Sequence, residues 1–144
     1  MGFKVSSKTD GGLRGIIRTH LPWWQWNSIE TGMTEQGVPD MEGAHKGHVI
    51  WIENKKSDAW AVQVEIAQIG WHLRRAAEGG KSFIAVRRMN TTKVGSVDEL
   101  WLMRGDEIRN LNKHGLQGVG SRIVFDDFGP EKWDWKTIDK YLKS

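Results

Sequence analysis

The run His48-Val-Ile-Trp-Ile-Glu-Asn54 is β-branched or aromatic almost without a break, and a chain that holds it must build a sheet around it. Lys55 to Asp58 ends the run on charge. Beyond it, from Glu65 to Glu78, the apolar residues Ile66, Ile69, Leu73 and Ala77 recur at helical spacing, and Gly79-Gly80 closes the pattern. A second strand follows over Ser82–Arg88, with Phe83-Ile84-Ala85-Val86 of buried character.

The flanks are read by the same periodicities. Leu13, Ile16, Ile17 and Leu21 predict a helix within Asp10–Leu21, stopped by Pro22. Trp23–Ile29 is aromatic-rich and reads as a strand, and Thr31–Gly37 as a turn. Val38-Pro39-Asp40-Met41 is expected to open the next strand, since proline is tolerated at a strand's start. Glu42–Gly47 is then a polar loop, pairing Pro39–Met41 with Val49–Glu53 as a hairpin. A short strand is expected at Glu99–Met103, with helices at Asp106–Leu111 and Trp133–Leu142. Helix, strands, helix and strands in this order imply an α/β or α+β class with a mixed central β-sheet flanked by helices.

The length of 144 residues suits a single domain over 10–144, preceded by a flexible N-terminus at 1–9, and allows a real hydrophobic core. Cysteine is absent, which removes disulfides, zinc–thiolate sites and thiol nucleophiles together. No apolar run approaches the length of a membrane span and no signal-peptide core precedes the first helix, so a cytoplasmic protein with no membrane partner is expected. The net charge of +3 is mild, but its distribution is not even. Arg74, Arg75, Lys81, Arg87, Arg88 and Lys93 are opposed only by Glu78, the pattern of a face that meets a polyanion or of ordinary solvated surfaces. Nine tryptophans are unusual for this length; most are expected in the core, and one or two could stack on unpaired bases.

Chemistry concentrates in Gly37-Val38-Pro39-Asp40 and Ile52-Glu53-Asn54-Lys55. Side chains alternate along a strand, so Glu53 and Lys55 share one face and Asn54 takes the other. If the neighbouring strand sets Asp40 beside Glu53, two carboxylates converge with an ammonium at hand. Hard divalent cations such as Mg²⁺ favour such oxygen donors. The metal would polarise a phosphate and activate a bound water. Lys55 would orient or deprotonate that water, or steady the added negative charge. His45, His48 and His72 have spacings that match no zinc pattern.

Pro39-Asp40 with Glu53-Asn54-Lys55 resembles the signature of the PD-(D/E)XK nuclease superfamily, and is similar above all to its small virus-type VRR-NUC branch and to Holliday-junction resolvases. Glu30-Thr31-Gly32 resembles the upstream acid of that branch. Gln68-Ile69-Gly70-Trp71-His72 resembles its glutamine-bearing helix, and Phe83-Ile84-Ala85-Val86 the following core strand. The resemblance spans about residues 13–103. It implies a restriction-endonuclease-like domain. Asp40, Glu53, the Asn54 carbonyl and Glu30 would hold Mg²⁺ or Mn²⁺, with Lys55 as the catalytic lysine and Gln68 as a positioner. Many junction resolvases carry a glutamate on the first helix; here that helix has only Asp10, at its start, and Glu30 would replace it.

The implied activity is hydrolysis of DNA phosphodiesters, foremost in branched DNA such as a Holliday junction, by a homodimer with two active sites. Flap, nicking or restriction-type cleavage is the alternative among enzymes, and a structured-DNA-binding protein without catalysis is the alternative outside them. Arg74, Arg75, Arg87, Arg88 and His72 are the expected DNA contacts. The resemblance also implies a bacterial host cell, with phage origin open.

Overall fold

Six strands form one sheet whose spatial order is the order of the chain. The computed structural model describes residues 10–29, 36–92, 95–125 and 129–144. The expected flexible segment 1–9, the upstream acid Glu30 and Lys93 lie outside the described residues. What is described is a single α/β domain with a mixed sheet and four helices.

Helix α1 spans Leu13–His20. It is shorter than the periodicity predicts, because Gly11 and Gly12 both take positive φ (65° and 77°) and form a turn before the first helical residue. The Asp10 carboxylate organises that turn, accepting the N–H of Gly12 at 2.8 Å and of Arg14 at 3.4 Å. Strands β1 (Gln25–Ser28), β2 (Met41–His45) and β3 (His48–Ser57) follow as an antiparallel meander. The expected polar loop at Glu42–Gly47 is strand instead. His45 pairs with His48, and the turn is only Lys46-Gly47, with φ of 47° and 84°, the positive values that a two-residue hairpin demands. Composition hid β2 because Gly43 is where its inner face meets the Trp26 ring; a Cβ at Gly43 would stand 2.3 Å from that ring.

Helix α2 (Ile66–Ala77) carries the chain to β4 (Ser82–Thr92), which is parallel to β3 with Trp51 beside Ser82 and Ser57 beside Arg88. Strand β5 (Gly95–Arg104) returns antiparallel along the whole of β4, from Phe83↔Arg104 to Thr92↔Gly95. The expected short strand at Glu99–Met103 is thus the inner half of a longer one. Of its outer half, Ser96 is exposed and Val97 and Asp98 are half-buried, and pairing with β4 continues to Thr92↔Gly95. A short 3-10 turn at Gly105–Glu107 leads into α3 (Ile108–His114), and β6 (Arg122–Phe125), half-buried and too short for periodicity to register, completes the sheet. Helix α4 (Trp135–Leu142) starts at Asp134, whose carboxylate accepts the Thr137 N–H at 3.1 Å.

The sheet is covered on both faces, which explains the unbroken apolar character of Phe83–Val86. Phe83 and Ala85 join Ile50, Ile52, Leu100 and Leu102 beneath α1 and α4. Ile84 and Val86 join Trp101 and Met103 beneath α2 and α3, where Ile108, Leu111 and Leu116 close the layer. The predicted apolar stripe of α2 needs correction. Ile69 and Leu73 do pack on that second core, but Ile66 is 87% exposed, and Trp71 and His72 are the buried residues of the helix.

Candidate active site

Strand β2 stops pairing with β3 at Met41↔Ile52. One step further, the same register extended would bring Asp40 to the level of Glu53, and the Asp40 charge does act on the Glu53 carboxyl. The Asn54 N–H points to the side that β2 has vacated, and the Asp40 carboxylate takes it, Oδ1 accepting at 3.0 Å from the backbone and 3.3 Å from Asn54 Nδ2. Asp40 therefore completes the ladder with its side chain, while its own carbonyl accepts the Ile29 N–H at 2.9 Å.

The alternation along β3 is observed as expected. Ile50 and Ile52 enter the α1/α4 core, and Asn54 Nδ2 lies 3.2 Å from Met41 Sδ on that side. Glu53 and Lys55 face α2, where Gln68 joins them. Gln68 Nε2 donates to Glu53 Oε2 at 3.2 Å, and Gln68 Oε1 accepts from Lys55 Nζ at 3.0 Å and from the Glu65 N–H at 3.0 Å. The last of these bonds is half of a capping box that starts α2, so one glutamine both begins the helix and fixes the acid and the lysine. Lys55 Nζ also lies 3.9 Å from Glu53 Oε2.

Gly37 docks the Asp40 segment on the same helix turn. Its φ is 87°, and a Cβ there would stand 2.1 Å from the Ala67 carbonyl oxygen. Only glycine satisfies both conditions.

Electrostatics sets this cluster apart. Burial raises the Asp40 carboxyl to about 6, against the opposing effects of the Asn54 backbone N–H and the Arg14 charge. Burial raises Glu53 further, to about 8, and the neighbouring Asp40 charge adds to the rise while Lys55 opposes it. Two carboxylates are therefore held where their charges are under-compensated, and a divalent cation is the group that would relieve them.

The donor set fits Mg²⁺ or Mn²⁺. The chemistry is hard oxygen, and a Mg²⁺ ion needs one or two carboxylates while water and substrate phosphate fill its remaining positions. Asp40 Oδ2 accepts no hydrogen bond among the described residues, its nearest cation being Arg14 Nε at 3.8 Å, and Glu53 Oε1 likewise accepts none. Among the described residues no three acidic or histidine side chains group as a metal cage.

Two residues of the site escaped sequence reasoning. Arg14 Nε lies 3.2 Å from Asp10 Oδ2 and 3.8 Å from Asp40 Oδ2, bridging the acid that precedes α1 to the acid that precedes β2. Asp10 is buried, and its charge contributes to the raised pKa of Asp40. The i,i+4 spacing of Asp10 and Arg14 was a visible signal, but an ordinary one on any helix.

The expected basic face is dispersed. Adjacent residues of a strand point to opposite sides of the sheet. Accordingly Arg87 turns to the α1/α4 side, bonding Asp98 at 2.8 and 2.7 Å and the Gly11 carbonyl at 2.6 Å. Arg88 turns to the other side and is buried against Glu99. His72 is 0% exposed, its Nδ1 within 2.8 Å of Ser82 Oγ, and burial, with the Lys55 charge second, lowers its pKa to about 4. It is a core residue rather than a phosphate contact. Arg75 lies over the Trp71 ring, and Arg74 is exposed on α2.

Comparison of the chain with protein-family models gives no match, and comparison with curated proteins gives none either. Fold and site define the chain as an α/β domain in which a buried glutamate and a half-buried aspartate interact beside a tethered lysine, where β2 leaves β3. No described helix is long and apolar enough to cross a membrane.

Proposed function

We propose that the protein is a metal-dependent nuclease that hydrolyses DNA phosphodiesters with Mg²⁺ or Mn²⁺. The observation that carries this reading is the charge of Asp40 acting on the Glu53 carboxyl where β2 leaves β3, with Lys55 on the Glu53 face and Gln68 bonded to both Glu53 and Lys55. A buried glutamate beside a half-buried aspartate, with a tethered ammonium, is costly to build unless a cation and an anion are to be held together there. The mixed sheet flanked by helices supports a restriction-endonuclease-like reading of the fold.

In this scheme Asp40 and Glu53 hold the metal, which when bound polarises the scissile phosphate and lowers the pKa of a water. Asn54 keeps Asp40 in place through its backbone and amide N–H groups. Gln68 holds Lys55 beside the acids, where its ammonium opposes negative charge gathering on the phosphate or orients the attacking water. The substrate proposed is branched DNA, with a four-way junction its sharpest form, cut symmetrically by a homodimer.

The test is cleavage of four-way junction, flap, nicked and linear duplex DNA with Mg²⁺ or Mn²⁺. Paired cuts in the junction support the resolvase reading, and cutting that ignores branching removes it while keeping the nuclease. Lys55→Ala and Asp40→Asn are expected to lower cleavage by about 10²–10³-fold, the scale of losing one transition-state contact, while DNA binding survives. Undiminished cleavage by both variants refutes the site.

A further inference from the structure

Beyond Lys55, on the same face of the sheet, lies a side-chain cluster that the proposed chemistry leaves unused. Strand β4 pairs Lys55 with Val86 and Ser57 with Arg88, so Arg88 stands two residues, about 7 Å, past the level of Lys55. Its guanidinium is buried and bonds Glu99 at 2.7 and 3.1 Å, and Glu99 Oε1 also accepts the Trp101 indole N–H at 2.9 Å. Trp60 closes the cluster. The Arg88 guanidinium carbon sits 3.9 Å from the Trp60 ring centroid, and Trp101 meets the Trp60 ring edge-on with centroids 5.9 Å apart.

The backbone under Trp60 is fixed as well. Its carbonyl accepts the Leu116 N–H at 2.8 Å, and a Cβ at Gly115 would come within 2.7 Å of that carbonyl oxygen. Ser57 Oγ lies 3.0 and 2.7 Å from the carbonyls of Ala59 and Ala61. Trp24, Trp71, Trp101 and Trp133 are buried, whereas Trp60 is 40% exposed although its ring packs on Arg88 and Trp101.

A buried ion pair is costly, and an indole left in water recovers little by the hydrophobic effect. The cluster uses both to present one aromatic face, backed on the other side by a cation. A flat π-system is what such a face binds, and the sheet places the Arg88 beneath it about 7 Å beyond the level of Lys55 on the same face. In DNA that π-system is a nucleobase, and a base can reach the indole only when it is unpaired, since both its faces are stacked inside a duplex. We propose that Trp60 is a stacking platform for an unpaired DNA base next to the scissile phosphate. The proposal rests on the nuclease reading and adds to its branched substrate an unpaired base near the cut, as at a bulge or a base opened at the branch point.

The test uses the full chain without divalent metal, so that binding is read apart from cleavage. Fluorescence anisotropy compares a labelled duplex carrying one unpaired base with the fully paired duplex of the same sequence, for the wild type and for Trp60→Ala, Trp60→Leu and Trp60→Phe. Trp60→Ala is expected to weaken binding of the unpaired-base probe by about 5- to 150-fold, the range supplied by stacking one base on an aromatic ring. Binding of the paired duplex should move less than about twofold, and Trp60→Phe should restore most of the loss. If Trp60→Ala does not fold, the comparison of Leu with Phe decides, because both fill the site and only one can stack. Equal losses on both probes, no loss on either, or a wild type that binds neither probe overturns the platform. Cleavage that persists in Trp60 variants with unchanged binding removes the platform and leaves the nuclease; selective binding without any cleavage does the reverse.

Discussion

Replacing Glu53 with glutamine tests the electrostatic reading of the site directly. The folded protein raises this carboxyl from an ordinary 4.5 to about 8, chiefly by burial and then by the Asp40 charge. The sign follows from linkage. Below pH 4.5 the group is protonated in both folded and unfolded chains, and the associated stability is fully present. As pH rises from 4.5 towards 8 the unfolded chain ionises while the folded chain keeps its proton, so that stability drains away until the folded group ionises too.

At pH 7 the gap of about 2.5 units corresponds to about 3 kcal/mol at 1.36 kcal/mol per unit, an upper bound because the buried site relaxes around the charge. Glutamine keeps an oxygen for the Gln68 amide and removes the titration. The metal-free Glu53→Gln variant should therefore match the wild type in stability near pH 4 and exceed it by about 1–3 kcal/mol at pH 7–8. Urea unfolding in EDTA across pH 4–8 measures the difference. Adding Mg²⁺ should then stabilise the wild type, by about 2.7 kcal/mol at a hundred times its Kd, and leave the variant unmoved. A variant less stable than wild type at pH 7, or a stability difference that does not change with pH, refutes the reasoning.

Gln68→Ala removes the link between Glu53 and Lys55 together with half of the α2 capping box. Metal affinity or cleavage should fall about 10–100-fold with a stability loss of about 1 kcal/mol, read by metal titration beside thermal melting; a stability loss alone would assign Gln68 to the helix only. Gly37→Ala is expected to cost more than about 1 kcal/mol, because the added Cβ meets the Ala67 carbonyl at a φ that alanine resists. It should also weaken metal binding by displacing Asp40, and a normal melt with normal metal titration would show that the segment does not position the acid.

What the sequence determined by itself was local. The β-branched run at His48–Asn54, the helical period of Leu13–Leu21 and the apolar core of β4 are periodicities written over neighbouring residues, and they come through as elements. The alternation that sends Glu53 and Lys55 to one face is of the same kind, whereas Gln68, singled out by resemblance alone, reaches them only because α2 packs over β3. The tertiary structure decided whatever depends on partners distant in the chain. Strand β2 carries Gly43 because the Trp26 ring fills the space where a side chain would stand, and β5 pairs with β4 well beyond the apolar residues that marked it in the chain. Arg87 and Arg88 look like one basic patch in the chain, but their places in a sheet covered on both faces commit them to different internal acids. Likewise nothing local joins Asp10 and Arg14 to Asp40. Only the packing of α1 against the start of β2 brings those charges within reach, because electrostatic neighbours are set by distance in space and not along the chain.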